Sequence, residues 1–310
     1  MIQVAGPPVG VIDDDQQVAQ FGRGVAAEGR PVGEHRPDAG DQVVGAGGQV
    51  AGRSDTVDLT KIPTKAPKGI SKAEARERIA QLTTELEELQ YLLYADHHHK
   101  VLAVIQATDT GGKDGTIRNV FGACNPQGVR VASFKAPSED ELAHDYLWRV
   151  HSEVPGTGEL VVFNRSHYED VLIVRVHDLV PPSRWKKRYQ HIVDFERLLT
   201  DEGTTIVKFY LHISKGEQKE RLQARLDDPT KNWKFAEGDL AERKRWDDYQ
   251  AAFTDMLNST STSEAPWYVI PADNKWYRDL VVAEVMVQTL RGLDMKFPPA
   301  PPNLADIVVE

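Results

Sequence analysis

Cysteine is all but missing from this chain, with Cys124 the single example in 310 residues. An internal disulfide and a cysteine-built metal site are therefore excluded, which suits a reducing compartment. No motif frames Cys124 as a nucleophile, and a small packed thiol is the expectation. Apolar runs long enough to span a bilayer are absent. So is the basic head followed by an apolar stretch that marks a secretory leader. Excess positive charge is lacking too: 37 Lys and Arg stand against 47 Asp and Glu, for a formal net charge of −10. That balance excludes a broadly basic nucleic-acid surface but leaves room for a local cationic cleft. A cytoplasmic protein that binds neither nucleic acid nor membrane is expected.

Residues 1–55 hold one aromatic side chain, Phe21, and recurrent glycine (Gly45, Gly47, Gly48, Gly52). Neither a strand period nor a helix period persists there, and such a segment buries too little apolar surface to offset its ordering entropy. We expect it to be disordered, or to be an extension created by a start site placed too early. Residues 56–70, with Pro63, Pro67 and Gly69, form a linker. Ser71 then caps a helix that carries Ile79, Leu82, Leu86, Leu89 and Leu93 on one face.

Beyond it, strand and helix signals alternate. Apolar runs at 101–106, 129–134, 160–163, 205–213 and 267–270 are separated by helical patterns that begin near Asp114, Ser138, Tyr168, Trp185, Gly216, Leu240 and Trp276. This is the pattern of βαβ units: an α/β domain over 71–295 with a parallel sheet of about five strands and helices on both faces. Residues 296–310 form a proline-rich tail (Pro298, Pro299, Pro301, Pro302).

The first strand runs directly into Thr108-Asp109-Thr110-Gly111-Gly112-Lys113-Asp114-Gly115-Thr116. A glycine-rich turn between strand and helix points backbone N–H groups at an anion, and the helix N-terminus adds its positive end. The P-loop pattern GxxxxGK[ST] is incomplete, because Ala107 stands at the first glycine and Asp114 at the hydroxyl after the lysine. A flexible loop with a chance lysine is the bland alternative. Asp109 counts against it, since a carboxylate among phosphates is repelled unless it holds a cation such as Mg²⁺.

The third strand ends in Asn164 and Arg165, where P-loop folds face the phosphates with a metal partner; a helix cap with a solvated arginine is the other reading. Farther on, Arg221, Arg225, Lys231, Lys234, Arg243, Lys244 and Arg245 crowd around Asp239. This is either a solvated face or a lid, at about 226–245, whose arginine closes on a transferring group.

Four segments, DTGGKDGT, FNRSHYEDVLIVRVH, RLDDPTKNWKF and GDLAERKRWDDY, together resemble family-2 polyphosphate kinases. The resemblance implies a thymidylate-kinase-like P-loop fold, a three-layer sandwich with a helical lid, and a homodimer or homotetramer. It implies Mg²⁺-dependent transfer of a phosphoryl group, with Mn²⁺ as a substitute ion, between inorganic polyphosphate and ADP/ATP, with AMP as a further acceptor. By the same resemblance, Asp109 holds the metal, with Asn164 a doubtful second ligand. Lys113, Arg165 and Arg225 serve the transferring phosphate. Gly111, Gly112, Gly115, Thr116, Asn164, Glu169 and Asp239 lie about the nucleotide and phosphates. Arg118, Lys208, Lys215 and Lys219 line the polyphosphate path. Asn164 stands where the family often has aspartate, and Glu169 where members working on nucleoside diphosphates have asparagine; this pairing resembles the subgroup that phosphorylates AMP as well as ADP. An ATP-dependent nucleoside monophosphate kinase shares the fold, and a nucleotide-binding regulatory module without turnover is the rival from another class.

Overall fold

A computed structural model describes residues 49–51, 56–304 and 307–309. The strands are β1 (Gln49–Ala51), β2 (Lys100–Ala107), β3 (Val129–Ser133), β4 (Leu160–Asn164), β5 (Thr204–His212) and β6 (Trp267–Pro271). The helices are α1 (Lys72–Asp96), α2 (Lys113–Phe121), α3 (Glu139–Ala143), α4 (Trp148–His151), α5 (Ile173–Val176), α6 (Pro182–Asp201), α7 (Lys215–Asp227), α8 (Gly238–Lys244), α9 (Trp246–Thr260) and α10 (Lys275–Arg291).

The sheet order is β1-β6-β5-β2-β4-β3. The five strands expected from the apolar runs are mutually parallel, with Val104 registered against Phe163 of β4 and Lys208 of β5. The chain leaves β2 toward β3 and β4 on one side, then crosses to β5 and β6 on the other. The C-terminal end of β2 is thus the point where strand order reverses, and in open α/β sheets that crevice receives the ligand. One strand was not expected: Gln49–Ala51, within the segment read as unstructured, pairs antiparallel with β6. The rest of that segment lies outside the described residues.

Strand alternation divides the core. Ala103, Ile105, Val162, Phe209, Leu211 and Ile270 face one cluster, shared with α1, α2 and α10. Leu102, Val104, Phe163, Tyr210, Trp267 and Val269 face the other, shared with α6 and α9. Ser71 caps α1 by accepting from the Ala73 and Glu74 amides. The long helix α1 lies against α10, burying Leu82, Leu86 and Leu93. Cys124 is buried, and burial pushes its thiol up to about 11.

Candidate active site

The site is built around the turn from β2 into α2. Gly111 N–H donates to Thr108 O at 3.0 Å and closes the turn. A side chain at Gly111 would meet Ala107 Cβ at 2.4 Å, so the turn has no room for one. Gly112 has φ of 105°, and a Cβ there would lie 1.9 Å from Arg278 Nη1. Thr110, at φ 62°, and Arg165, at φ 63°, adopt the left-handed region that non-glycine residues avoid, and such strain gathers at working sites. The first N–H groups of α2 have no partner within the helix and are left to receive an anion.

Side chains of α7 hold the loop from behind. Gln218 Nε2 donates to Asp109 O at 3.2 Å. Arg221 Nη1 donates to Thr110 O and Gly111 O at 2.9 and 3.0 Å. Three successive carbonyls are thereby turned toward α7, and because a trans peptide directs C=O and N–H oppositely, the Gly112 N–H faces away from it. Arg221 Nη2 also reaches Ala272 O and Asp273 O, at 2.6 and 3.2 Å, tying the loop to the turn after β6. Arg278, 1% exposed, lies against Gly112 and Gly115 and bonds Asp279 Oδ1 through Nε and Nη2 at 2.8 and 2.6 Å.

Toward the solvent, Lys113 folds back so that Nζ donates to Ala107 O at 3.1 Å. Arg165 Nη2 stands 3.5 Å from Asp109 Oδ1. Asn164 Nδ2 donates to Asp114 Oδ1 at 2.9 Å, linking the end of β4 to the start of α2. Burial, then the Arg165 guanidinium, lowers the Lys113 ammonium below the usual lysine range, against the pull of Asp109, Glu169 and Asp114. Burial raises the Glu169 carboxyl, against the pull of Arg165 and Lys113. With its amide oriented to satisfy both ends, Gln106 donates to Glu169 Oε1 at 3.1 Å and accepts from Ser166 Oγ. The result is two cations and three carboxylates gathered around one glycine-rich turn.

Two of the expected contact residues lie elsewhere. Lys208, expected along the polyphosphate path, is 0% exposed. It sits on the inner face of β5, and its Nζ bonds Glu196 Oε2, Thr260 O and Tyr168 OH at 2.5, 2.7 and 2.9 Å. A lysine enclosed and paired in this way cannot meet a soluble anion. Its role is structural: Glu196 also accepts from Tyr168 OH at 2.6 Å and contacts His167 Nε2 at 3.3 Å, anchoring the turn that carries Arg165 and Glu169. Thr116 is likewise fully buried, and its hydroxyl donates to Gly112 O at 3.2 Å, so it supports the loop from inside and does not face a phosphate.

The expected lid comprises the end of α7, a short 3-10 turn over Asn232–Lys234, and α8. Arg225 and Asp239 pair within it at 3.2 Å, and Arg225 also donates to Lys234 O at 3.1 Å. Both side chains thus lie in the segment expected as a lid and pair with each other. Helix α8 is fastened at its far end, where Glu242 meets His177 at 2.9 Å and Tyr249 OH at 2.6 Å. Arg118, Lys215 and Lys219 are exposed, the first on α2 and the others at the start of α7. Sequence reasoning missed Gln218 and Arg278, and counted Arg221 as a lid charge. Gln218, Arg221 and Leu222 share the buried face of α7, a helical spacing visible in the sequence. The Arg278-Asp279 pair directly before the apolar run Leu280-Val281-Val282-Ala283 was a comparable signal.

Among the described residues, no three His, Cys, Asp or Glu side chains converge as a protein-only metal cage. Mg²⁺ needs none: it keeps waters and takes one or two carboxylates plus substrate phosphates. Asp109 at the mouth of the loop, with Asp114 in the first turn of α2, fits that requirement.

Three comparisons with known proteins agree. The family described as polyphosphate kinase 2 matches residues 69–298. The AMP/ADP-polyphosphate phosphotransferase of Meiothermus ruber is 60% identical over 239 residues, which are 77% of this chain and 90% of the relative. The ADP-polyphosphate phosphotransferase of Rhodopseudomonas palustris is 47% identical over 264 residues, covering 81% of this chain and 91% of the relative. The crystal structure of polyphosphate kinase 2 from Arthrobacter aurescens superposes with a TM-score of 0.74 at 42% identity, over 83% of this chain and 97% of that one.

Proposed function

This chain belongs to the polyphosphate kinase 2 family, and from that premise we infer that it transfers a phosphoryl group between inorganic polyphosphate and a nucleotide, with ADP and AMP as acceptors. The observation that carries the reading is the loop itself: a glycine-rich turn opening into the N-terminus of α2, Lys113 across the turn, and Arg165 opposite Asp109. The relatives named for AMP/ADP and for ADP support the two acceptors.

Donor and acceptor are both polyanions, so the site must cancel repulsion and align oxygens, and positioning with electrostatics supplies most of the rate. The N–H groups of the loop bind the phosphate that is transferred. Lys113, stripped of much of its water, holds an equatorial oxygen with a stronger field than a solvated ammonium gives. Arg165 clamps the same group through its planar fork. Mg²⁺, held by Asp109, would neutralise phosphate charge at this place, and Mn²⁺ can take its role. In this reading Arg225 joins the phosphates after rotation of its segment and loss of its Asp239 contact. One phosphoanhydride is exchanged for another, so the reaction runs either way with concentrations.

Among the described residues no helix is long and apolar enough to cross a membrane. A cytoplasmic homodimer or homotetramer is the form we propose. ³¹P NMR tests the reaction: adding protein and Mg²⁺ to polyphosphate and ADP should deplete internal polyphosphate signal as the ATP β resonance grows. Unchanged spectra with wild-type protein would overturn the reading. Asp109→Asn should fold as wild type and abolish the change.

A further inference from the structure

We propose that Gln218 is a positioning residue that couples the lid helix α8 to the phosphate loop, a role that rests on the phosphoryl-transfer reading above. Gln218 is 3% exposed, and the two ends of its amide serve different elements. Nε2 donates to Asp109 O at 3.2 Å, while Oε1 accepts from Arg243 Nη1 of α8 at 3.0 Å. The same Arg243 nitrogen donates to Lys215 O at 2.7 Å, at the first residue of α7. A primary amide is the side chain that presents a donor and an acceptor in one plane, so satisfying both contacts fixes its orientation.

The placement gives the contact a consequence. Arg221 holds Thr110 O and Gly111 O without involving the lid. The tie to Asp109 O alone passes through a group that the lid also grips. Asp109 is the residue assigned to the metal and opposes Arg165. With Arg243 docked, the Gln218 amide is pinned at both ends and the Asp109 peptide is held. When Arg243 leaves, which requires the adjoining Glu242 contacts with His177 and Tyr249 to open as well, one end is released, and the amide can turn from the Asp109 carbonyl. Lid closure and correct placement of Asp109 therefore belong to one arrangement, and phosphoryl transfer is favoured when the site is shut against water.

The test is a double-mutant cycle in the full chain, reading ATP formed from polyphosphate and ADP. Gln218→Ala and Arg243→Ala should each lower kcat about tenfold, the effect of one hydrogen bond to a charged or pinned group. The KM for ADP should stay within about twofold, because the contact acts on the closed state and not on first encounter. The double variant should be no slower than the slower single one. Gln218→Glu keeps an acceptor for Arg243 but loses the donor to Asp109 O, and should be as slow as Gln218→Ala; a role confined to docking the lid would leave it at the wild-type rate. Losses that multiply in the double variant, or a fast Gln218→Glu, overturn the coupling. Arg243 is half-buried on the lid, so Arg243→Ala tests the idea even if a Gln218 variant fails to fold: wild-type kcat there also overturns it. Wild-type protein in the same assay separates the two readings. If it makes no ATP, the reaction itself is wrong and the coupling falls with it; if it is active and Arg243→Ala matches it, only the coupling is wrong.

Discussion

Gly112→Ala isolates what the loop requires of its backbone. The residue sits at φ 105°, and the new methyl would be built 1.9 Å from Arg278 Nη1 and 3.6 Å from Arg221 Nη1. Holding alanine in a left-handed conformation costs about 1–2 kcal/mol. Forcing a methyl into a filled space costs about 1–3 kcal/mol more. Arg278 cannot simply leave, since it is buried and paired with Asp279. A loss of about 2–5 kcal/mol follows, relieved in part by the loop shifting outward. A shift of about 1 Å at groups that align phosphates costs roughly 10²-fold in rate. The assay is ATP formation from polyphosphate and ADP, with thermal unfolding measured in parallel. Two other glycines calibrate it. Gly115→Ala, whose methyl would stand 3.3 Å from Arg278 Nη2 at an ordinary φ, should lose far less. Gly69→Ala, at φ 94° with nothing within 4 Å, should cost about 1–2 kcal/mol of stability and leave turnover unchanged. Wild-type turnover and stability in Gly112→Ala would refute the packing of Arg278 against the loop.

Lys208→Met leaves the Glu196 carboxylate buried without its ammonium and should destabilise by about 3–5 kcal/mol, read from denaturant unfolding; adding Glu196→Gln should recover a large part. Burial pushes Glu196 up, but Lys208 and His167 outweigh it and hold it below the usual carboxylate range. Its stabilisation is therefore present above the ordinary glutamate pKa and lost as pH falls through the lowered one, so Glu196→Gln should flatten the acid limb of the melting profile. Glu169 has the opposite sign: its carboxyl is raised, so its contribution is fully present below the ordinary pKa and lost as pH rises through the raised one. Glu169→Gln should remove that decline, and a melting profile identical to wild type would contradict the burial. Native Cys124 should resist iodoacetamide under mildly alkaline conditions and react after denaturation, because burial both covers it and raises its thiol to about 11.

The strands, the loop and the family-bearing segments were legible because each is written locally. Apolar runs bounded by turn residues mark buried strands, and a strand followed by Thr-Gly-Gly-Lys marks the phosphate turn. Long-range pairing is not written locally. From sequence Lys208 looks like a substrate contact because the partner that neutralises it, Glu196, lies on a preceding helix and meets it only after β5 packs on α6. Its neighbours Ile206 and Tyr210 face the same core cluster, so strand alternation already placed the lysine inward. Arg278 was hidden in the same way, since it reaches the loop from the last helix of the fold. The loop motif extends through Thr116 and marks it as a phosphate ligand, yet it shares an inward helical face with Val120. The edge strand at Gln49–Ala51 carries no period of its own; the open edge of β6 supplies the pairing.

The most direct measurement is a luciferase-coupled assay of purified protein with long-chain polyphosphate, Mg²⁺ and either ADP or AMP. The account predicts light from ADP with no other phosphoryl donor present, and light from AMP after a lag in which ADP accumulates. If polyphosphate yields nothing with either nucleotide while ATP phosphorylates a nucleoside monophosphate, the chain is an ordinary nucleotide kinase and the account is contradicted.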